Sequence, residues 1–269
     1  MKRGTRNLEL GTRRAFLKRA ALVSTGLIWV PKHLAAQTTV TADGLADFTP
    51  DAAPAGGGDI TTGLVGLWTL NDNAANTTVA DSSGNANDGI ASVNSSVLHA
   101  TGQISGAFLL NGTSQYVALP NAVATALDGG SECTLCGYFK GSLIQSMIRI
   151  QPSGGNFIIL GWGTSSPQAI MSNDGSTSGV AIAGVQDGNW HHVAMTWKQN
   201  TTNGFKVYVD KILSAQRTSS NSSLSVTAID APALGRYNGA SPGEYMSGTI
   251  DDCRVYSRAL TATDIAALP

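Results

Sequence analysis

The sequence predicts an all-β fold, an antiparallel two-sheet jelly-roll sandwich closed by a short C-terminal helical turn. Two observations carry that prediction. From Gly63 onward, short apolar or alternating runs are separated by Gly, Asn, Ser and Asp at intervals of about 8 to 14 residues. No window of about 12 or more residues in that stretch sustains a 3.6-residue apolar period.

The predicted strands are, in order, Leu64–Leu70, Ala107–Leu110, Tyr116–Leu119, Cys133–Phe139, Met147–Ile150, Phe157–Gly161, His191–Trp197, Lys206–Asp210 and Thr249–Tyr256. Only the tail is helical. Thr261 and Asp264 have the spacing of a capping arrangement in front of Ile265, Ala266, Ala267 and Leu268. The closing strand is unusual because it starts with two carboxylates. Strict alternation puts Asp251, Cys253 and Val255 on one face and Ile250, Asp252, Arg254 and Tyr256 on the other. A carboxylate among apolar side chains is costly unless backbone donors, a cation or a metal satisfies it, so Asp251 requires a partner.

Ahead of the strands, Thr12-Arg13-Arg14-Ala15-Phe16-Leu17-Lys18 leads into an apolar run from Ala20 to Val30, then Pro31 and small residues. This resembles a twin-arginine export signal. The run of 11 residues would span only about 16 Å, short of the roughly 30 Å of a hydrocarbon core, so no stable membrane insertion is expected. Residues 1–36 are read as the signal, with cleavage after Ala36 or after Ala42. Residues 37–62, rich in Pro, Gly, Ala and Asp, are read as a flexible linker, and 63–269 as one domain. A periplasmic or secreted location follows.

Removing residues 1–36 takes away eight of the 17 basic residues and one of the 18 acidic ones, leaving nine against 17. So acidic a surface repels phosphate backbones and anionic lipid, which excludes nucleic acid and membrane as partners and favours neutral or cationic ligands and divalent metal. Cys133 and Cys136 have C-x-x-C spacing, yet residues three apart on a strand point to opposite faces, which disfavours a shared zinc or a mutual bridge. A bridge from Cys253 to either of them and simple burial of all three as small hydrophobes both remain open.

Several segments, in order, resemble the LamG-like jelly-roll domain of the concanavalin A-like lectin/glucanase superfamily. Gly63-Leu-Val-Gly-Leu-Trp68-Thr-Leu is similar to its opening strand, and Asp81-Ser-Ser-Gly84-Asn85-Ala-Asn87-Asp88-Gly89 to the turn after it. Phe108-Leu-Leu-Asn111-Gly112-Thr-Ser-Gln-Tyr116-Val117 is similar to its hairpin, and Gly188-Asn-Trp190-His191-His192-Val193-Ala-Met-Thr-Trp197 with Val207-Tyr-Val-Asp210 to its central strand pair. The sequence departs from the pattern at Lys211, where Gly is usual after Asp210, so a type I′ turn there carries strain at Lys211.

The resemblance implies that some members hold calcium between the first turn and the closing strand. Asp81, Asn87 and Asp251 are the metal candidates, since calcium takes about six to eight hard oxygens. The alternative is an Asx-turn at Asp81 and backbone donors at Asp251. His191 and His192 face opposite ways on one strand, so they are read as structural. Glycoside hydrolysis needs a carboxylate pair, and after the signal only Glu132 and Glu244 are glutamates, with no Glu-x-Asp-x-x-Glu, Gly-x-Ser-x-Gly, Walker or HExxH motif. No enzyme activity is expected. Trp162, Tyr237 and Tyr245, beside Gly- and Ser-rich loops, are the candidates for stacking a sugar ring. Two function classes follow: a module binding polysaccharide, or a protein-interaction or cell-surface structural module without glycan binding.

Overall fold

The computed structural model describes residues 58–151, 156–173, 176–219, 223–226, 232–237 and 243–269; the export signal and most of the linker lie outside the described residues. The strands are β1 (Leu64–Trp68), β2 (Thr78–Val79), β3 (Gly89–Ala91), β4 (His99–Thr101), β5 (Gly106–Asn111) and β6 (Val117–Ala118). They continue as β7 (Glu132–Leu143), β8 (Ile148–Ile150), β9 (Phe157–Trp162), β10 (Gln168–Asn173) and β11 (Ser176–Ala181). The rest are β12 (Trp190–Lys198), β13 (Phe205–Val209), β14 (Ile212–Arg217), β15 (Ala233–Leu234) and β16 (Ser247–Tyr256). Short helices α1 (Ser95–Leu98), α2 (Asn121–Thr125) and α3 (Ala262–Ala267) complete the elements.

Two antiparallel eight-stranded sheets result. Sheet A has the order β14-β13-β12-β7-β16-β5-β4, with β1 also paired to β16; sheet B has the order β11-β10-β9-β8-β15-β6-β3-β2. All nine predicted strands are present with shifted ends. The seven that were not predicted, β2, β3, β4, β10, β11, β14 and β15, are very short or carry polar, poorly alternating sequences.

The long central strands read as continuous apolar runs because both of their faces are buried. Leu135, Val193, Val207 and Val255 enter the core between the sheets. Their neighbours Cys136, Ala194, Tyr208 and Tyr256 point outward into a second apolar layer, completed by Leu260, Ile265 and Leu268 of the tail. Each of those three tail side chains contributes roughly 1.5–3 kcal/mol by burial. The predicted capping arrangement is present: Thr261 Oγ1 accepts from the Asp264 amide at 3.2 Å, and Asp264 Oδ2 accepts from the Thr261 amide at 2.8 Å. Asp264 also ties down the start of the domain. Its Oδ1 accepts from the Asp59 amide at 2.8 Å, and Tyr256 Oη donates to the Ile60 carbonyl at 3.1 Å. Residues 58–62, assigned to the linker from composition, therefore belong to the folded unit.

The alternation expected along the closing strand breaks at Asp252. Asp251 pairs with Tyr138 and Arg254 with Cys136, so three steps on β16 match two on β7. This bulge places Asp252 at φ 49°. Cys253 and Val255 consequently point into the core, while Asp251 shares the outer face of sheet A with Tyr138 and not with Cys253. The turn after Asp210 has the positive φ pair of a type I′ turn, 50° at Asp210 and 67° at Lys211. Asp210 Oδ1 accepts from the His192 amide at 3.0 Å and Lys211 Nζ donates to the Leu268 carbonyl at 2.6 Å, which offsets the strain. Cys133, Cys136 and Cys253 are all buried free thiols, the first and third in the core and Cys136 in the outer layer.

Candidate functional site

The Asp81 turn is internally satisfied. Asp81 Oδ1 accepts from the amides of Leu67 (2.9 Å) and Ser83 (2.8 Å), and Oδ2 from Ser83 Oγ (2.7 Å) and the Asn87 amide (2.9 Å). Burial raises its pKa, but these donors outweigh it and hold the carboxyl below the usual range. Asn87 is buried and donates from Nδ2 to the Val65 carbonyl at 2.8 Å, while its own carbonyl accepts from Trp68 Nε1 at 2.9 Å. The turn thus staples β1 rather than opening toward solvent.

Asp251 sits elsewhere. It is 0% exposed, its Oδ2 accepts from the Ile104 amide at 2.7 Å, and its Oδ1 has no hydrogen-bond partner. The strand β1 stands between the two carboxylates, pairing through Trp68 with Cys253 on one edge and with Asp81 on the other. A calcium ion shared by Asp81, Asn87 and Asp251 does not fit this arrangement. The four acceptor positions of Asp81 are filled, and among the described residues no group of three or more His, Cys, Asp or Glu could hold a metal. Millimolar calcium, or EDTA, is accordingly expected to leave the melting temperature unchanged; a rise of several degrees on adding calcium in differential scanning fluorimetry would contradict this.

The aromatic candidates lie on the outer face of sheet B. Ile148 and Ile150 enter the core, which turns Arg149 outward. Its register row runs Ile170, Ile159, Arg149, Ala233, Ala118, Ile90 across six strands. Arg149 is 7% exposed and bound on every side. It donates to Gln151 Oε1 through Nε (2.8 Å) and Nη2 (2.5 Å) and to Ser146 Oγ (3.2 Å), pairs with Glu244 Oε2, and stacks over the Tyr237 ring at 4.2 Å. Ser146 and Glu244 are both left-handed, at φ 47° and 52°. Beside them, Arg236 lies 3.4 Å over the ring of Tyr116, which meets Tyr245 at 6.5 Å. Tyr237 and Tyr245 are therefore brought into one arginine–tyrosine cluster. The cluster was not read from sequence, although a lone arginine between isoleucines on β8 does mark an outward position.

Trp162 is on the same sheet. Leu160 pairs with Ala169 in the core, and a bulge at Gly161, φ 88°, realigns the strand so that Trp162 pairs with Gln168. Gln168, next to the inward Ala169, points outward and pairs with Ala181. Trp162, Gln168 and Ala181 hence form an outer row, with Trp162 42% exposed. Ala181 also lines a cavity of about 410 Å³ bounded by Ser165–Pro167 and Ile182–Asp187. The Gln186 side chain braces it, accepting from the Ile144 amide at 3.2 Å and donating to the Thr164 carbonyl at 3.1 Å. At its rim Asp187 Oδ1 accepts from the Asn189 amide (2.8 Å) and contacts His191 Nε2 (3.1 Å), bonds that hold its carboxyl down at about 2. His191 Nδ1 contacts Asp210 Oδ2 at 2.9 Å. Burial lowers the His191 pKa, but the two carboxylates outweigh it and raise it. Both ring nitrogens of His191 are thus engaged, whereas His192 is buried against Tyr138 with no hydrogen-bond partner at its Nδ1.

No curated protein matches the chain in sequence. Among solved structures it is similar to domain 4 of AbnA, a GH43 extracellular arabinanase from Geobacillus stearothermophilus, in complex with arabinotriose. The TM-score is 0.56 at 20% identity, over 75% of this chain and 96% of that one. It is also similar to the binding domain of Paraclostridial Mosquitocidal Protein 1 (TM-score 0.54, 13% identity, 77% of this chain and 52% of that one). A third is the binding domain of Botulinum Neurotoxin DC in complex with SialylT (TM-score 0.53, 12% identity, 77% and 51%). These likenesses bear on the fold. Residues 111–266, more than half of the sequence and running from the end of β5 into α3, match Laminin_G_3, and the chain belongs to that family of the concanavalin A-like lectin/glucanases superfamily.

Proposed function

We propose that the chain is an exported, non-catalytic carbohydrate-recognition module that holds sugar against the outer face of sheet B at Trp162. The observation that carries this reading is the position of Trp162: a large indole left 42% exposed in an outward row that ends on a 410 Å³ cavity. An indole face packs the CH-rich face of a pyranose or furanose, while the Ser165, Ser166 and Gln168 side chains supply hydroxyl and amide groups for sugar hydroxyls. Arabinotriose in a structural neighbour supports a sugar over other small ligands. Export rests on the twin-arginine segment alone. No helix among the described residues is long and apolar enough to cross a membrane. A non-catalytic role agrees with the use of the two glutamates: Glu132 pairs with Lys198 in sheet A, and Glu244 is committed to Arg149.

Trp162→Ala tests the reading. Covering roughly 50 Å² of indole at about 25 cal/mol per Å² is worth about 1.3 kcal/mol, so affinity for a bound polysaccharide should fall about tenfold with no change in melting temperature. Affinity electrophoresis in arabinan- and glucan-containing gels reads this directly. An unretarded wild-type protein would remove the sugar reading and leave the protein-interaction alternative.

A further inference from the structure

The charges around this face define the ligand class, an inference that rests on the recognition reading above. The folded part carries nine basic residues, and their distribution is one-sided. Seven lie on the strands and turns of sheet A or on the tail behind it. Several of these are already engaged: Lys198 pairs with Glu132, Arg254 with Asp252 and Arg258 with Asp264, and Lys211 donates to Leu268. Arg217, which is exposed, reaches β11, the edge strand that also carries Ala181, where it donates to the Gly179 carbonyl at 3.2 Å. Only Arg149 and Arg236 belong to the outer face of sheet B. Arg149 is 7% exposed with its charge matched by Glu244, and Arg236 is stacked on Tyr116. Among the described residues the one charged group lining the cavity is Asp187, an anion that contacts His191.

We infer that the Trp162 face takes neutral glycans and rejects anionic ones such as uronates, sialylated chains and sulfated polysaccharides. An anionic sugar docked in the Ala181 row meets the Asp187 carboxylate and approaches a folded unit that carries nine basic against 14 acidic residues, a net of −5, while the exposed Arg217 at the β11 edge is engaged by the Gly179 carbonyl. A neutral sugar pays none of this. Its recognition is carried by the indole and by neutral hydroxyl and amide groups, so it should respond little to salt.

Isothermal titration of the purified chain against two probe sets at about 50 mM and about 500 mM NaCl tests the assignment. The neutral set is arabinan and mixed-linkage β-glucan fragments; the anionic set is oligogalacturonate, sialyllactose and heparin fragments. The expected result is binding within the neutral set that changes less than about twofold between the two salts, with anionic probes at least about tenfold weaker at the lower salt. Anionic probes binding more tightly, with affinity collapsing at high salt, would overturn the inference while leaving sugar recognition intact. Binding of neither set would overturn both together.

Discussion

Replacing Asp252 by Ala is expected to destabilise the fold by about 3–4 kcal/mol, the largest single effect anticipated outside the apolar core. Asp252 and Arg254 form a two-pronged pair on β16, Nε to Oδ2 at 2.9 Å and Nη2 to Oδ1 at 3.0 Å, with side chains 8% and 7% exposed. Burial works against the charge on Arg254, but the Asp252 carboxylate reverses the balance and raises its pKa. Removing the carboxylate strands a guanidinium beneath the tail layer, and breaking one partner of a buried pair costs about 3–5 kcal/mol. The backbone adds to it, since φ 49° at position 252 suits Asp or Asn better than Ala. Asp252→Asn keeps that tolerance and isolates the charge contribution. The double variant Asp252→Asn with Arg254→Met should recover much of the loss, because an uncharged pair leaves nothing stranded. Urea denaturation of the three variants measures it; a loss under about 1 kcal/mol for Asp252→Ala would show that the pair is idle.

Asp251→Asn is expected to change how stability depends on pH. Burial pushes the Asp251 carboxyl up to about 6, the Ile104 amide pulls it down, and the Asp252 charge raises it further. The folded pKa thus lies above the ordinary carboxyl value of 3.8, so the folded state binds the extra proton. The stability this contributes is fully present below about pH 3.8 and is lost as pH rises through about 6. Full conversion of the shift would give about 3 kcal/mol; discounted for residual solvent screening it is on the order of 2 kcal/mol. Going from pH 4 to pH 7.5, the Asn variant should therefore gain about 2 kcal/mol relative to wild type. Taking the difference between the two pH values cancels any fixed penalty of the amide beside the unpartnered Oδ1. Equal pH profiles in urea titrations would show that Asp251 ionises without cost.

These two neighbours also show where sequence reading stops. The fold was legible because alternation, turn spacing and the capping pair at Thr261 are local, and the core strands are apolar enough to stand out. Asp251 was rightly marked as a carboxylate short of partners. Its face was misassigned because one left-handed residue, Asp252, resets the two-residue period beyond it, and nothing in the residue types announces a bulge. The short strands were missed for a related reason. Two or three residues such as Ala233–Leu234 are held as strand by neighbours far away in sequence and carry no period of their own. The Arg149 cluster joins residues 95 positions apart, so only its outward direction could be read. Trp162 is marked in the sequence only as an aromatic beside small residues, and what the sequence could not supply was the bulge at Gly161 that pairs it with Gln168.

The bonds that tie Asp59 and Ile60 to Asp264 and Tyr256 put both ends of the folded unit on one side, behind sheet A, where Tyr138 Oη also donates to the Pro269 carbonyl at 2.6 Å. A short peptide joining Pro269 to Gly58 would bridge neighbours, so a circularly permuted chain opened at an exposed turn such as Asn200–Asn203 should retain the sandwich. The same placement sets an orientation within the folded unit: both of its ends lie behind sheet A, and the Trp162 face points the other way.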